Sequence, residues 1–347
     1  MAAKAVKVGI AGLGRSGWHI HAETLAGMKN RYKVAAVFDK DAGRCAEARE
    51  KFSCEVCSSY GELVGKRGVD VVVVAMPNRM HADCSIEALR AGKHVVCEKP
   101  MATSLADADR MIRAGKRSKG KLTIFQNRRF AADFMKVREI IDSGRLGKVT
   151  LIRMCAHSFG RRWDWQTLRK SGGGALNNTG PHYVDQALQL IGDRYPSEFF
   201  VQMERTLALG DAEDHVKLVM RAKGSPVVDV EIMSDAAYRG PAWLVTGTRG
   251  GLTGSGSELR WKWVIASRWR KRKVDEGPTP DRSYNSEEVP WSKEQVWHGG
   301  DRFPSSMERY YLLLYKSLVT GTEPPVTPES VRRQMKLLEE CHRRCGI

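Results

Sequence analysis

Within residues 1–125, short apolar runs alternate with helical stretches at a regular beat, and this alternation limits the fold more than any other feature of the chain. Val6–Ala11, Val34–Phe38, Val69–Ala75, His94–Cys97 and Leu122–Phe125 read as strands. Helices over His19–Lys29, Ala42–Phe52, Ile86–Ala91 and Leu105–Arg117 stand between them. Strands separated by helices of roughly 10–15 residues make right-handed βαβ crossovers, which place them parallel in one sheet. Val69–Ala75 is almost all valine, as a strand covered on both faces requires. Gly92 stands where a helix end takes a left-handed residue.

After about Asn127 the beat changes. A helix over Phe134–Ser143 and a strand over Val149–Ala156 lead to a loop ending in Gly172-Gly173-Gly174, and a helix covers Val184–Ile191. Strand-like segments then follow one another without helices: Glu198–Thr206, His215–Arg221, Val227–Ile232, Trp243–Gly247 and Arg260–Ile265. Such a run predicts an antiparallel sheet that can leave one face open. Residues 275–302, with Pro278, Pro280 and Pro290, read as a long irregular excursion, and Phe52–Ser58 as a short strand. Helices over Ser306–Val319 and Glu329–Arg344 close the chain. The expectation is therefore an α/β protein of 347 residues in two domains, since one domain typically takes about 100–200 residues. Residues 1–125 form a Rossmann-type parallel sheet. Residues 126–347 form an α+β domain on a largely antiparallel open sheet, for substrate binding and oligomerisation. An open apolar face needs covering, which predicts a homodimer or homotetramer through that sheet.

Composition narrows the partners. No apolar run approaches the roughly 18 residues of a membrane span; the longest, Val71–Met76, has the length of a buried strand. Gly9, Gly12, Gly14 and Gly17 interrupt any leader-like pattern, so a cytoplasmic protein is expected. The net charge of +17 is spread as +9 over residues 1–125 and +8 over 126–347. Its densest patch, Arg268, Arg270, Lys271, Arg272 and Lys273 with Trp261, Trp263 and Trp269, reads better as a strand with a solvated basic end than as a nucleic-acid track. The eight cysteines form no disulfide framework and no zinc site: Cys54 and Cys57 make one C-x-x-C, and no second such pair stands at ligand spacing. No metal is expected.

Gly12-x-Gly14-x-x-Gly17 follows the first strand and opens the first helix. Glycines there allow a tight turn, bring backbone N–H groups to a pyrophosphate and let helix and strand pack closely. Asp39, 22 residues after Gly17 at the end of the second strand, suits the adenosine ribose hydroxyls and repels a 2′-phosphate, which favours NAD. Lys40 beside it would tolerate NADP as the alternative.

Cys97-Glu98-Lys99-Pro100 ends the fifth strand, at the sheet edge where ligands of doubly wound folds bind. With the glycine motif, the Gly172–Asp185 stretch GGGALNNTGPHYVD, Met76-Pro77-Asn78 with His81, Gln126-Asn127-Arg128-Arg129 and the Pro324–Pro328 loop, the chain resembles the glucose–fructose oxidoreductase / inositol dehydrogenase (Gfo/Idh/MocA) family over nearly its whole length. The resemblance implies a cofactor cleft built from Gly12, Leu13, Gly14, Arg15, Ser16, Gly17, Asp39, Lys40, Ala75, Met76, Pro77, Asn78, His81, Glu98, Lys99, Gln126 and Trp165. It implies catalysis by Lys99, His182 and the residue at 178, where the family's usual aspartate is Asn178. A spacing of four puts Asn178 and His182 on one helix face, with Pro181 in or near the first turn. Oxidation of a secondary alcohol also removes a proton. A histidine titrating near working pH suits that task, and a buried lysine can donate to or relay from the reacting oxygen.

Lys99, Arg128, Arg129, Trp163, Asn178 and His182 are the expected substrate contacts. Arg161, Arg162 and Arg169 are further cations that could take an acidic group, and Asp185 could orient the imidazole. The expected activity is hydride transfer between NAD and a ring hydroxyl of a sugar, inositol or sugar derivative, acidic ones included. A redox-neutral glycosidase working through a keto intermediate is the alternative enzyme, and a nucleotide-sensing or nucleic-acid-binding protein the non-enzymatic one.

Overall fold

The computed structural model describes residues 5–192, 194–279, 282–299 and 305–346. In the first half, strands β1 (Val6–Ala11), β2 (Tyr32–Phe38), β3 (Glu55–Val56), β4 (Val71–Val74), β5 (His94–Cys97) and β6 (Leu122–Ile124) make one parallel sheet in the order β3-β2-β1-β4-β5-β6. A π-helical turn, Ser16–Ala22, runs into α1 (Glu23–Gly27), followed by α2 (Ala42–Phe52), α3 (Tyr60–Gly65), α4 (His81–Arg90) and α5 (Leu105–Arg117). Local chemistry sets the helix starts: the side chains of Asp41, Ser59 and Ser104 accept first-turn N–H groups of α2, α3 and α5. All four valines of β4 are buried, as their double-sided cover demands.

The second half carries α6 (Ala132–Asp142), β7 (Val149–His157), the short α7 (Ala175–Asn178), α8 (Gly180–Leu190), β8 (Glu198–Glu204), β9 (His215–Arg221), β10 (Val227–Met233), β11 (Trp243–Gly247), β12 (Gly250–Gly254), β13 (Glu258–Trp263) and β14 (Gln295–His298). These strands form an eight-stranded sheet, ordered β14-β13-β12-β11-β7-β10-β9-β8. The β7–β10 pair is parallel and the other pairs are antiparallel. Helices α9 (Ser306–Thr320) and α10 (Pro328–Arg344) follow.

Several features differ from expectation. α3 lies in a stretch too short to show periodicity. β12 hides behind three glycines, one of which, Gly250, is so tight against β13 that a Cβ would lie 2.4 Å from the Lys262 carbonyl oxygen. The 275–302 excursion is not wholly irregular, because β14 pairs with β13 at the sheet edge; residues 280, 281 and 300–302 lie outside the described residues. The Arg268–Lys273 patch is not a strand end but an exposed segment beyond it, with Arg272 and Trp269 tied to Glu287.

Residues 126–347, expected as one domain, contribute to two cores. Tyr310, Tyr311 and Leu314 of α9, with Val331 and Met335 of α10, are buried with the parallel sheet. Leu337, Leu338 and Cys341 are buried instead with α6, α8 and the large sheet. The C-terminal helices thus tie the two sheets together.

The second face of the large sheet is mixed, not wholly apolar. Ile152, Met154, Val228 and Val230 point to the core, so their strand neighbours Arg153, Asp229 and Glu231 point the other way. There His157 pairs with Glu231, and Lys217 with both Asp229 and Glu231. This charged network stands among outward-facing apolar side chains of the same face, Phe200, Val219, Leu151 and Leu244, with Phe200 58% exposed. Among the described residues no helix is long and apolar enough to cross a membrane.

Candidate active site

A cleft of about 790 Å³ opens where β1, β4 and β5 end, between Gly12, Ala75 and Glu98–Pro100 on one side and the 162–178 segment on the other. Gly12, Gly14, Arg15, Ser16, Asp39, Lys40, Ala75, Met76, Pro77, Asn78, His81, Glu98, Lys99, Trp165 and Asn178 all line it.

The glycine loop fits a dinucleotide. Gly12 has φ +92°, and a Cβ there would meet the Ala75 carbonyl oxygen at 2.5 Å; a Cβ on Gly17 would lie 1.8 Å from the Gly12 oxygen. Gly14, in contrast, faces open space. Two glycines therefore close the turn, and the third leaves room for a ligand beside the first-turn N–H groups of the helix, which have no intrahelical partner. Asp39 stiffens this cradle by accepting from Leu13 N–H (2.6 Å) and Asp41 N–H (2.9 Å). Arg44, which no motif singles out, joins Lys40 near Asp39 in the lining.

Lys99 is half-buried at the end of β5. Its Nζ donates to the main-chain oxygen of Asn178 at 2.8 Å and lies 3.4 Å from Asn178 Oδ1. Burial lowers its pKa against the opposing pull of Glu98, and Arg15 adds to the lowering. Glu98 is buried behind it. Burial alone would raise this carboxyl, but hydrogen bonding from His21, the charges of His21 and Lys99, and the Lys99 N–H hold it at about 2. His21, fully buried, reaches Glu98 Oε1 at 3.1 Å and the Tyr311 hydroxyl at 2.7 Å with its two ring nitrogens. His21 and Tyr311 had no motif to betray them, and only packing from α9 brings them to the site.

Asn178 and His182 do not share one helix. α7 ends at Asn178, and α8 begins at Gly180 with Pro181 in its first turn, because proline cannot donate to a continuing helix. His182 Nδ1 is buried with no partner. Burial, then the nearby Lys99 and Arg128 cations, push the imidazole down to about 3. It is a neutral group over the working range, not the near-neutral titrating base expected.

Several expected contacts lie elsewhere. Gln126 is fully buried, and its Nε2 donates to the Pro181 carbonyl and Gln334 Oε1, tying β6 to α8 and α10. Arg129 grips the buried Asp185 with two nitrogens, at 2.8 and 2.5 Å, and donates to Ser330; it is structural, and Asp185 is its buried counter-charge. Trp163 is 76% exposed and outside the lining. Arg128 acts on His182 through its charge, from an exposed position. Arg162 reaches the cleft but is paired with Asp164. His81 braces the strand ends, with ring nitrogens 2.7 and 2.9 Å from the Pro100 and Met76 oxygens. The cysteines are free, and burial raises the Cys54 thiol to about 11, which makes it inert.

A six-stranded parallel sheet with a glycine-rich cleft at its carboxyl edge defines a dinucleotide-binding protein. Comparison with known proteins agrees: residues 6–126 match the oxidoreductase family with an NAD-binding Rossmann fold, and residues 134–253 match the GFO/IDH/MocA C-terminal domain. The chain belongs to the GFO/IDH/MocA family, and its cofactor is NAD. It is 27% identical to an uncharacterized oxidoreductase of Schizosaccharomyces pombe over 97% of this chain and 96% of that one. It is 32% identical to inositol 2-dehydrogenase 2 of Saccharopolyspora erythraea, over 67% of this chain and 68% of that one. Among solved structures, an NAD-binding protein from Listeria innocua superposes with a TM-score of 0.81 at 25% identity, covering 99% of this chain and 95% of that one.

Proposed function

We propose that the protein is an NAD-dependent dehydrogenase acting on a ring hydroxyl of a sugar, an inositol or a related polyol. The observation that carries this reading is the half-buried Lys99 Nζ, anchored on Asn178 at the edge of the nucleotide cleft, with the partnerless Nδ1 of His182 near it, an imidazole that burial and the Lys99 charge keep neutral. Similarity to inositol 2-dehydrogenases supports the substrate class.

Bound NAD supplies the two-electron acceptor for oxidation of a secondary alcohol to a ketone. The residues of the chain manage the proton. Lys99, whose ammonium form is disfavoured by burial, loses its proton more readily than a surface lysine and takes the one released from the hydroxyl. His182, neutral, offers Nδ1 to hold that hydroxyl in line. Asn178 fixes Lys99 through its carbonyl oxygen and keeps charge off the pair. Glu98, held ionised, supplies the counter-charge that lets Lys99 be half-buried.

The test is NADH formation at the nicotinamide absorbance with sugars, inositols and glycosides. Turnover of free polyols with stoichiometric NADH is expected. Lys99→Ala and His182→Ala should each lower it by roughly 10²–10⁴, the range for loss of a proton-handling group, with NAD binding retained. Cleavage of glycosides without net NADH would refute the reading in favour of a redox-neutral glycosidase.

A further inference from the structure

Helices α4 and α5 flank a second cavity of about 660 Å³, within the ~300–1,000 Å³ of small-molecule pockets. It lies away from the nucleotide cleft. α4 begins at His81, in that cleft, and runs about 15 Å, at ~1.5 Å per residue, before Arg90 reaches the cavity. Five charged residues line it, Arg90, Arg110, Arg113, Arg117 and Lys119, and every one is a cation. Among the described residues no carboxylate joins them in the lining.

Most of this charge has no local answer. Arg110 is paired with Asp83 and Asp107, at 2.8 and 2.7 Å. Arg113 meets only the field of Asp109, whose two oxygens are held by Arg332 at 2.6 and 2.9 Å. Arg90, Arg117 and Lys119 enter no hydrogen bond or ion pair among the described residues. Glu87, one turn before Arg90, is turned towards Gly61, where a Cβ would lie 3.8 Å from its Oε1.

Spacing makes the cations converge. Arg110, Arg113 and Arg117 stand three and four residues apart, on one face of α5. Like charges at that spacing repel and weaken a helix. The carbonyl ends of α4 and α5 favour Arg90 and Arg117 in their last turns, but this effect fades within one turn and does not reach Arg113. Behind the cations the wall is apolar, with Ile86 and Leu89 buried. Ser118 ties its two sides together: Oγ donates to the Leu89 carbonyl at 2.6 Å and accepts the Gly120 N–H at 2.9 Å. The groove is thus rigid, basic at its rim and apolar below. Several cations around one small cavity suit a ligand with several negative charges, held by charge-assisted hydrogen bonds.

We propose that this groove is a second nucleotide site, for a nucleoside triphosphate whose phosphates Arg90, Arg113, Arg117 and Lys119 hold while its base lies on the apolar wall. The site is independent of the dehydrogenase reading, since none of its residues lines the nucleotide cleft.

The test is calorimetric titration of ATP and of inorganic tripolyphosphate into NADH-saturated protein, without magnesium so that both keep their full charge. With the cleft filled, ATP should still bind at one site per chain. It should bind more tightly than tripolyphosphate, which has no base for the apolar wall, and added salt should weaken both. Arg113→Gln/Arg117→Gln should weaken ATP about ten-fold, since each exposed ion pair contributes roughly three-fold. Its NADH affinity should hold, and its melting temperature should hold or rise as the repulsion along α5 is relieved. Arg270→Gln/Lys271→Gln removes the same charge from the exposed segment beyond β13 and should bind ATP as wild type does. The proposal is overturned if NADH-saturated wild type binds no ATP, or if tripolyphosphate binds as tightly as ATP. It is overturned equally if the Arg270/Lys271 variant loses as much affinity as the groove variant, which would make the binding a matter of net charge. A single-stranded DNA oligomer that binds more tightly than ATP through Arg113 and Arg117 would also overturn it, in favour of a nucleic-acid track.

Discussion

Asn178→Asp is the sharpest test of which group handles the proton. Asn178 Oδ1 lies 3.4 Å from Lys99 Nζ. A unit charge placed there would interact with the ammonium by about 5 kcal/mol at an effective dielectric near 20, which corresponds to a pKa change of roughly 3.6 at about 1.36 kcal/mol for each tenfold step. Side-chain relaxation and solvent reduce this to the roughly one to three pH units seen for close opposite charges. The change is upward, because the carboxylate favours the charged lysine. If deprotonated Lys99 takes the hydroxyl proton, the rising limb of log(kcat/KM) against pH must move to higher pH by that amount. Below both limbs the variant should be slower by about ten-fold for every pH unit that the limb moves. His182 cannot produce such a limb in wild type, since it is pushed down to about 3. The assay is NADH formation from a neutral polyol across neutral and alkaline pH. A limb that stays in place in Asn178→Asp would refute Lys99 as the titrating group, whatever the loss in overall rate.

Asp39→Ala should narrow the preference for NAD over NADP in direct binding measurements, because Lys40 and Arg44 then remain beside the ribose without an opposing carboxylate; a wild type that already prefers NADP would contradict this. Arg129→Met should destabilise the fold by about 3–5 kcal/mol in chemical denaturation, as expected when a buried carboxylate loses its cation; Asp185 is that carboxylate, and Gln189 continues to donate to it. Stability should also fall on acidification. The His182 pKa lies at about 3 in the fold against an ordinary 6.5, so the unfolded chain binds a proton between those values that the folded chain does not. Glu98, at about 2 against 4.5, extends the loss to lower pH with the same sign. Melting temperatures of His182→Gln should show a shallower decline than wild type as the pH falls below 6.5.

Much of the first sheet could be read from the chain because its signals are local. β5 and α5 match the expected bounds, as does α2, whose start is set by the adjacent Asp41 cap. Gly12, Asp39 and Lys99 stand where strand ends put them, and a strand end is legible as the last residue of an apolar run. What escaped is what depends on distant partners. β12 exists because β11 and β13 flank it, not because Gly-Gly-Leu-Thr-Gly favours extension. Arg129 looked like a substrate ligand because an arginine beside a cleft motif carries no mark of its partner, and Asp185 is 56 residues away. Glu213 belongs to no motif; its place shows only in the fold, where its Oε1 accepts the Leu176 N–H from 37 residues away.

Polar satisfaction around Lys99 also explains why the C-terminal helix α9 returns to the first core instead of staying with the second. Lys99 half-buried at a strand end requires an anion behind it, and Glu98 buried beside β5 requires donors in turn. One donor is the Lys99 N–H at 2.9 Å, and the other is His21. His21 is locked by Tyr311, whose main-chain oxygen accepts the Tyr32 hydroxyl at 2.8 Å, and its ring packs 4.4 Å from Phe125. Each polar group in this series has its partner only if α9 lies against β2 and the first helix. Removing the Tyr311 hydroxyl would therefore loosen His21, then Glu98, then the lysine, which makes the seating of α9 part of the active site although none of its residues lines the cleft.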